Sequence, residues 1–279
     1  MEIIKNGLYI ISTPIGNLED ITLRAKKVLE QVNFIICENP KHSLKLLNKL
    51  GIKKKLFSIH DYNEIYLLKK IEKYQHNSSI ALISDAGSPL ISDPGFKLVN
   101  NFIEKNIYVT AVPGPSSLIS SLQLSGIGSD KFVFFGFLPK SQNSINKIAK
   151  NIKGINLTSV IFVSGKKILD FLKALASNSS KNNIAICKEL TKINENIYRG
   201  QVNSLIDKIS SNEISLRGEF TLVIQKNDAK EKIIDEKIRK QAKKILEKFT
   251  LTETVEIVHK LSNNSKKDIY EMLLKLKND

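Results

Sequence analysis

The sequence predicts an α/β protein of two sheets that ends in a small helical unit. Short β-type runs alternate with helix-patterned stretches up to about residue 225, and several of these runs are continuously apolar, as strands buried on both faces are. Nine strand candidates in that length fit two sheets better than one. From Lys230 to Asp279 there is no Gly, no Pro and no strand pattern.

In chain order the strand candidates are Leu8–Ile11, Phe34–Cys37, Leu56–Ile59, Ile80–Ser84, Tyr108–Val112, Phe132–Phe135, Ser159–Val163, Ile184–Cys187 and Phe220–Ile224. Helical periodicity appears at Leu23–Val32, through Leu23, Val28, Leu29 and Val32, and again at Leu67–Tyr74. The Pro113-Gly114-Pro115 turn and the Gly126–Gly128 stretch mark the best boundary. The expected division is an N-terminal α/β domain over 1–114, a second α/β domain over 115–228 and a helical tail over 229–279. In the tail, Ile238, Ala242, Ile245 and Phe249 share one helical face, and Thr252 is the expected N-cap of a second helix carrying Val255, Val258 and Leu261. Ser262-Asn263-Asn264 breaks that helix. Ser265, with Asp268 three residues on, resembles a capping box for a third helix presenting Ile269, Met272, Leu273 and Leu276. Three short helices with a tight turn before the last are compatible with a helix-turn-helix.

Composition narrows the class. With 279 residues, 42% hydrophobic and 25% charged, the chain is globular and long enough for about two domains. No apolar run approaches the ~20 residues of a membrane helix, and the N-terminus lacks a signal peptide's long apolar centre. Cys37 and Cys187 lie far apart, each ending an apolar run, and are expected to be reduced core residues of a cytoplasmic protein. His42, His60, His76 and His259 are scattered without metal-ligand spacing, so no metal is expected. The net charge of +15 favours a polyanionic partner, but only four of the 43 cationic residues are Arg. Lysine dominance beside abundant Asn and Ile is also what codon bias in an AT-rich genome produces.

Three Gly/Pro loops directly follow predicted strands: Thr13–Asp20, Asp85–Gly95 and Pro113–Ser117. Ligands of α/β sheets bind beyond the carboxyl ends of the strands, so three such loops at one edge predict a site. None is a dinucleotide fingerprint or a phosphate loop, and no G-x-S-x-G elbow supports hydrolase chemistry. Pro14 stiffens the first loop, and Gly16 leaves its backbone open to a ligand. Loops of this kind hold a small polar cofactor by main-chain bonds while an apolar pocket takes its base. Residue types alone do not name the reaction.

The loops are nevertheless recognisable. Ser12–Ala25 (STPIGNLEDITLRA), Ala81–Gly95 (ALISDAGSPLISDPG), Pro113–Ser117 (PGPSS) and Phe134–Pro139 (FFGFLP) resemble signatures of the bacterial small-subunit ribosomal RNA methyltransferase I family. Cys187–Lys192 with Arg199-Gly200, and Gly218–Val223, extend the resemblance over essentially the whole chain. That family is similar to the tetrapyrrole methylases, the class III methyltransferases. The resemblance implies 2′-O-methylation of a cytidine ribose in the decoding region of small-subunit (16S) ribosomal RNA, with S-adenosylmethionine as cofactor. It further implies two tetrapyrrole-methylase-type domains with the cofactor cleft between them, a homodimer, and ribosomal RNA or the assembled small subunit as partner. By similarity, Pro14, Ile15, Gly16, Asn17, the loop Asp85, Ala86, Gly87, Ser88, Pro89, Leu90 and Ile91, the serines Ser116 and Ser117, and Leu190 line the cofactor cleft.

Two stretches depart from the family pattern. Relatives read E-D-T-R-H-T where this chain has Glu38-Asn39-Pro40-Lys41-His42-Ser43, and F-Y-E-[SA]-P-H-R where it has Phe162-Val163-Ser164-Gly165-Lys166-Lys167. The cofactor loops are intact while the expected substrate loops have drifted. A base helps a ribose hydroxyl attack, because that hydroxyl is poorly nucleophilic until its proton is lost. Glu38 and Asp85 are the candidate catalytic carboxylates. Two other readings compete: a catalytically weakened RNA-binding or ribosome-assembly factor that retains its cofactor loops, and a tetrapyrrole C-methyltransferase, which should lack the Asp85–Gly95 signature and the tail.

Overall fold

The computed structural model describes residues 4–178, 183–226, 236–262 and 264–278. The chain forms two compact units, Met1–Lys226 and Asn227–Asp279.

The first sheet contains β1 (Gly7–Ile11), β2 (Phe34–Cys37), β3 (Lys55–Ser58), β4 (Ser79–Ile83) and β5 (Val109–Val112), in the order β3-β2-β4-β1-β5. Every neighbouring pair is parallel, so all five carboxyl ends lie on one edge. Helices α1 (Leu23–Gln31) and α2 (Pro40–Lys49) cover one face. There Ala25, Leu29 and Leu47 pack on Ile11, Ile35 and Ile83. Helices α3 (Glu64–Ile71) and α4 (Phe96–Glu104) cover the other, with Leu67, Leu98 and Phe102 against Leu8, Ile36 and Leu82. Two-sided burial explains the apolar runs of β1, β2 and β4, whereas the edge strands β3 and β5 are only partly buried. Local signals set the helix starts: Thr22 caps α1, and Asn39 caps α2 with Pro40 in the first turn. Helix α3 starts three residues before the predicted Leu67, and the predicted end at Tyr74 falls in a 3₁₀ turn, Glu72–Tyr74.

The second sheet contains β6 (Phe132–Phe137), β7 (Thr158–Ser164), β8 (Asn183–Lys188), β9 (Asn196–Gln201) and β10 (Glu219–Ile224), in the order β6-β7-β10-β8-β9. Only the β6–β7 pair is parallel; the other pairs are antiparallel. Strand β9 escaped the sequence reading. It is a half-exposed edge strand, NIYRGQ, with no continuous apolar run to announce it. Helices α6 (Gln142–Gly154), α7 (Gly165–Asn178) and α8 (Val202–Ser210) bury one face of this sheet. Helix α5 (Ser117–Ser125) packs on the opposite face, Leu118 and Leu122 meeting Val160, Ala185 and Val223. The Arg199 side chain on β9 holds the end of α5, its Nε donating to the Ser125 carbonyl at 3.1 Å.

The last unit comprises α9 (Glu236–Leu246), α10 (Leu251–Leu261) and α11 (Lys266–Asn278) around Ala242, Val255, Val258, Ile269 and Leu273. Two expectations are corrected. Phe249 lies beyond α9 and is exposed, because the helix stops at Leu246. Thr250, not Thr252, caps α10: its Oγ1 accepts from the Glu253 amide at 3.4 Å, and Glu253 Oε2 accepts from the Thr250 amide at 2.9 Å. That reciprocal pair needs an acid three residues on, which Thr250 has and Thr252 lacks. Ser265 Oγ accepts from the Asp268 amide at 3.2 Å at the start of α11. Of the break before α11, Asn263 lies outside the described residues. Among the described residues, no helix is long and apolar enough to cross a membrane.

Candidate functional site

The loops after β1 and β4 are joined by backbone. Thr13 and Gly87 exchange two hydrogen bonds of 2.9 and 3.0 Å, an isolated antiparallel bridge at the carboxyl edge of a parallel sheet. Side chains complete the clamp: Thr13 Oγ1 donates to the Ser84 carbonyl at 3.3 Å, and the Ser12 and Ser88 hydroxyls lie 2.9 Å apart. Ser88 Oγ also donates to the Pro115 carbonyl at 3.5 Å, which draws in the loop after β5. Gly87 has φ +80°, in the region that favours glycine. At the far end of the second loop, buried Glu64 accepts from the amides of Gly95, Lys97 and Leu98 at 3.1, 2.9 and 3.3 Å. This carboxylate from α3 does what no side chain of the N-cap Gly95 can do for α4.

A cavity of about 450 Å³ opens between these loops and the second sheet. Of the residues the sequence singled out, Ile15, Glu38, Asp85, Ala86, Gly87, Ser88, Ile91, Ser116, Ser117 and Leu190 line it. Pro14, Gly16, Asn17, Pro89 and Leu90 do not. The backbone of Gly16 is not left open to a ligand, because the second lobe occupies that space: a Cβ there would lie 2.5 Å from Lys192 Cγ and 2.9 Å from the Leu190 carbonyl. Asn17 serves the same junction, its amide donating to Thr191 Oγ1 at 3.0 Å. Leu90, at φ +73°, packs into the core under α4.

Sequence reasoning missed the contribution of the second sheet and two carboxylates, Asp93 and Glu219. Phe137 and Phe162, ring centroids 5.1 Å apart, form an aromatic wall beside Ser164, Cys187 and the Gly218–Thr221 segment. Phe137 stands in the FFGFLP signature and Phe162 in a stretch that departs from the family pattern, and nothing local tells a wall from a core residue. Asp93 shares the cavity with Glu38, Asp85 and Glu219, the last of which is ion-paired with Lys192 at 2.9 Å. Burial, opposed by a Ser84 hydrogen bond and reinforced by the Asp85 charge, pushes Asp93 up to about 6. Partial burial, then Asp93, Asp85 and Asp61, raises Glu38 although it reaches solvent at the rim. Burial pushes the Cys187 thiol up to about 12, so it lines the cavity as a neutral apolar group. Among the described residues, no group of three or more His, Cys, Asp or Glu side chains is arranged to hold a metal ion.

Residues 7–206 match the family model of the tetrapyrrole (corrin/porphyrin) methylases. A crystal structure of diphthine synthase superposes with a TM-score of 0.59 at 13% identity, covering 78% of this chain and 89% of the other, which shows the shared fold. The ribosomal RNA small subunit methyltransferase I of Haemophilus influenzae is 38% identical over 271 residues, 95% of each chain. Its counterpart in Rickettsia prowazekii is 39% identical over 229 residues, 81% of this chain and 80% of the other. Fold and site thus define a methyltransferase of the tetrapyrrole methylase class. Within that class, the chain belongs to the ribosomal RNA small subunit methyltransferase I family, whose cofactor is S-adenosylmethionine.

The cavity fits that cofactor. Its volume suits a small-molecule site, and it combines an apolar side, Ile15, Ile91 and Leu190, with carboxylates. Among the described residues, Asp85 Oδ1 has no hydrogen-bond partner and is buried, an acceptor that a hydroxyl or ammonium donor would satisfy. The carboxylates complement the sulfonium and ammonium charges, and the Gly87 backbone admits close approach.

Proposed function

We propose that this chain transfers a methyl group to the 2′-oxygen of a cytidine ribose in the decoding region of small-subunit ribosomal RNA. We also take the division 1–114, 115–228 and 229–279 as its domain organisation, a homodimer in the cytoplasm as its working form, and the assembled subunit or its RNA as its partner. The observation that carries the reading is the cavity itself, where the three signature loops meet four carboxylates and an aromatic wall. When bound, S-adenosylmethionine supplies an electrophilic methyl group on a sulfonium centre.

The chain's own residues supply the rest. Ile15, Ile91 and Leu190 hold the apolar part of the cofactor, and Asp85 and the Gly87 backbone hold its polar part. Phe137 and Phe162 offer ring faces on which a nucleobase stacks. Asp93, ionised at neutral pH yet far more basic than an exposed aspartate, accepts the proton of the ribose hydroxyl. Glu38 at the rim keeps phosphate out of the cavity by charge. Most of the rate then comes from holding the 2′-oxygen in line with the methyl group. Ribose methylation mapped in ribosomal RNA from cells with and without this gene tests the reading. Loss of one 2′-O-methylcytidine in the small-subunit decoding region supports it, and identical maps reject it.

A further inference from the structure

Helix α2 begins two residues beyond Glu38, at the rim of the cavity. Its outer face carries Lys41, Lys45 and Lys49, all exposed and four residues apart. At 1.5 Å per residue this ladder runs roughly 12 Å away from the rim. The segment from Pro40 to His60 holds six lysines and no Asp or Glu. Among the described residues, none of the three ladder lysines is in an ion pair, whereas Lys105, Lys192 and Lys266 all meet carboxylates.

This arrangement works against the free helix. Like charges at i,i+4 repel, and Lys41 sits at the positive end of the helix dipole with no acidic residue in the first turn. Asn39 Oδ1 takes two of the terminal amides, from Lys41 and His42, but brings no charge. Two unlike fields therefore meet at the rim: an uncompensated row of cations outside, and Glu38, Asp85 and Asp93 inside. A polyanion is held on the first and refused by the second.

We infer that the outer face of α2 carries the phosphate backbone of the substrate strand, Lys41, Lys45 and Lys49 each meeting a phosphate, so that an uncharged ribose is the part of the nucleotide presented to the cavity. The inference rests on the RNA substrate proposed above and adds where the strand lies. It also gives the drifted Glu38–Ser43 stretch a role: the helix that follows its cap begins the ladder.

The test compares two triple variants of the full chain. Lys41→Gln/Lys45→Gln/Lys49→Gln removes the ladder, and Lys147→Gln/Lys150→Gln/Lys208→Gln removes equal charge from α6 and α8. The probe is a single-stranded RNA oligonucleotide of the decoding region, titrated over a salt series, with cofactor affinity measured by calorimetry. The ladder variant is expected to bind RNA at least about tenfold more weakly at low salt. Its slope of log K against log salt should be shallower by about 2, from roughly 0.7 per phosphate contact on a single strand. Cofactor affinity should stay unchanged, and the second variant should match the unaltered chain. If the triple variant does not fold, Lys45→Gln alone should lower the slope by about 0.7. Equal losses in both triple variants, or an unchanged slope, overturn the inference. Absence of binding by the unaltered chain, both to this oligonucleotide and to small subunits from cells lacking this gene, rejects the functional reading itself and is distinct from either result.

Discussion

Thr13 and Gly87 lie on loops that follow different strands, yet exchange both backbone hydrogen bonds, at 2.9 and 3.0 Å. The bridge holds the first two signature loops as one surface, so that Ile15 and Asp85 reach the same cavity from β1 and β4. Gly87 takes part while at φ +80°, with Ile15 Cγ2 only 3.3 Å from where a Cβ would stand.

Gly87→Val therefore faces backbone strain of about 1–3 kcal/mol and a methyl-bearing group against Ile15. Calorimetry should show S-adenosylmethionine affinity reduced at least several-fold, in a protein that still unfolds cooperatively. Unchanged affinity would move the cofactor away from this loop.

Asp93 gives a pH signature. Its carboxyl is raised from the ordinary 3.8 to about 6, so the folded state holds the proton over a range in which the unfolded chain has lost it. Stability contributed by this group thus falls as pH rises between those values. Asp93→Asn should be more stable than the native chain at pH 7, on the order of 1 kcal/mol once solvent screening of a half-buried group is allowed for, and the gain should vanish below pH 4. Single-turnover methylation should rise with pH through about 6 in the native chain. In Asp93→Asn it should be slower and lack that limb. A variant that is as fast as the native chain would remove Asp93 from proton transfer.

Glu64 makes a purely structural forecast. Glu64→Ala would strip the partner from three amides at the start of α4 and cost about 2–3 kcal/mol by denaturant titration. Glu64→Gln keeps an acceptor but loses the charge, and should cost less. Equal stability of Glu64→Ala and the native chain would show that solvent caps the helix equally well.

Much of this architecture is written locally. The inner parallel strands β1, β2 and β4 announce themselves because burial on both faces makes each a run such as FIIC or SIALI. The loops that bound the cavity were legible as Gly/Pro punctuation after strands. Strand β9 was not, because an edge strand needs no apolar run. Nor were the Gly16 junction, the Phe137–Phe162 wall and the Glu64 cap, which join residues distant in sequence: Glu64 reaches Gly95, and Gly16 backs onto Lys192. Asp93 was hidden in plain view: it shares a loop with Asp85, and only the fold brings Glu38, from the end of β2, into the same cavity. At the tail, choosing Thr252 over Thr250 overlooked the glutamate three residues after the true cap.

The tail should be separable from chemistry. A chain ending before residue 232 is expected to keep its cofactor affinity while binding decoding-region RNA more weakly, as measured by calorimetry and filter binding. Loss of cofactor binding by a truncated chain that still folds would assign the tail to the cavity.

The most direct measurement uses the purified chain, S-adenosylmethionine labelled in its methyl group, and small ribosomal subunits from cells lacking this gene. Nuclease fragments of the RNA, separated and weighed by mass spectrometry, locate the label. The account predicts a single labelled methyl on the ribose of one cytidine in the decoding region. Label on a base, label outside that region, or no label at all would contradict it.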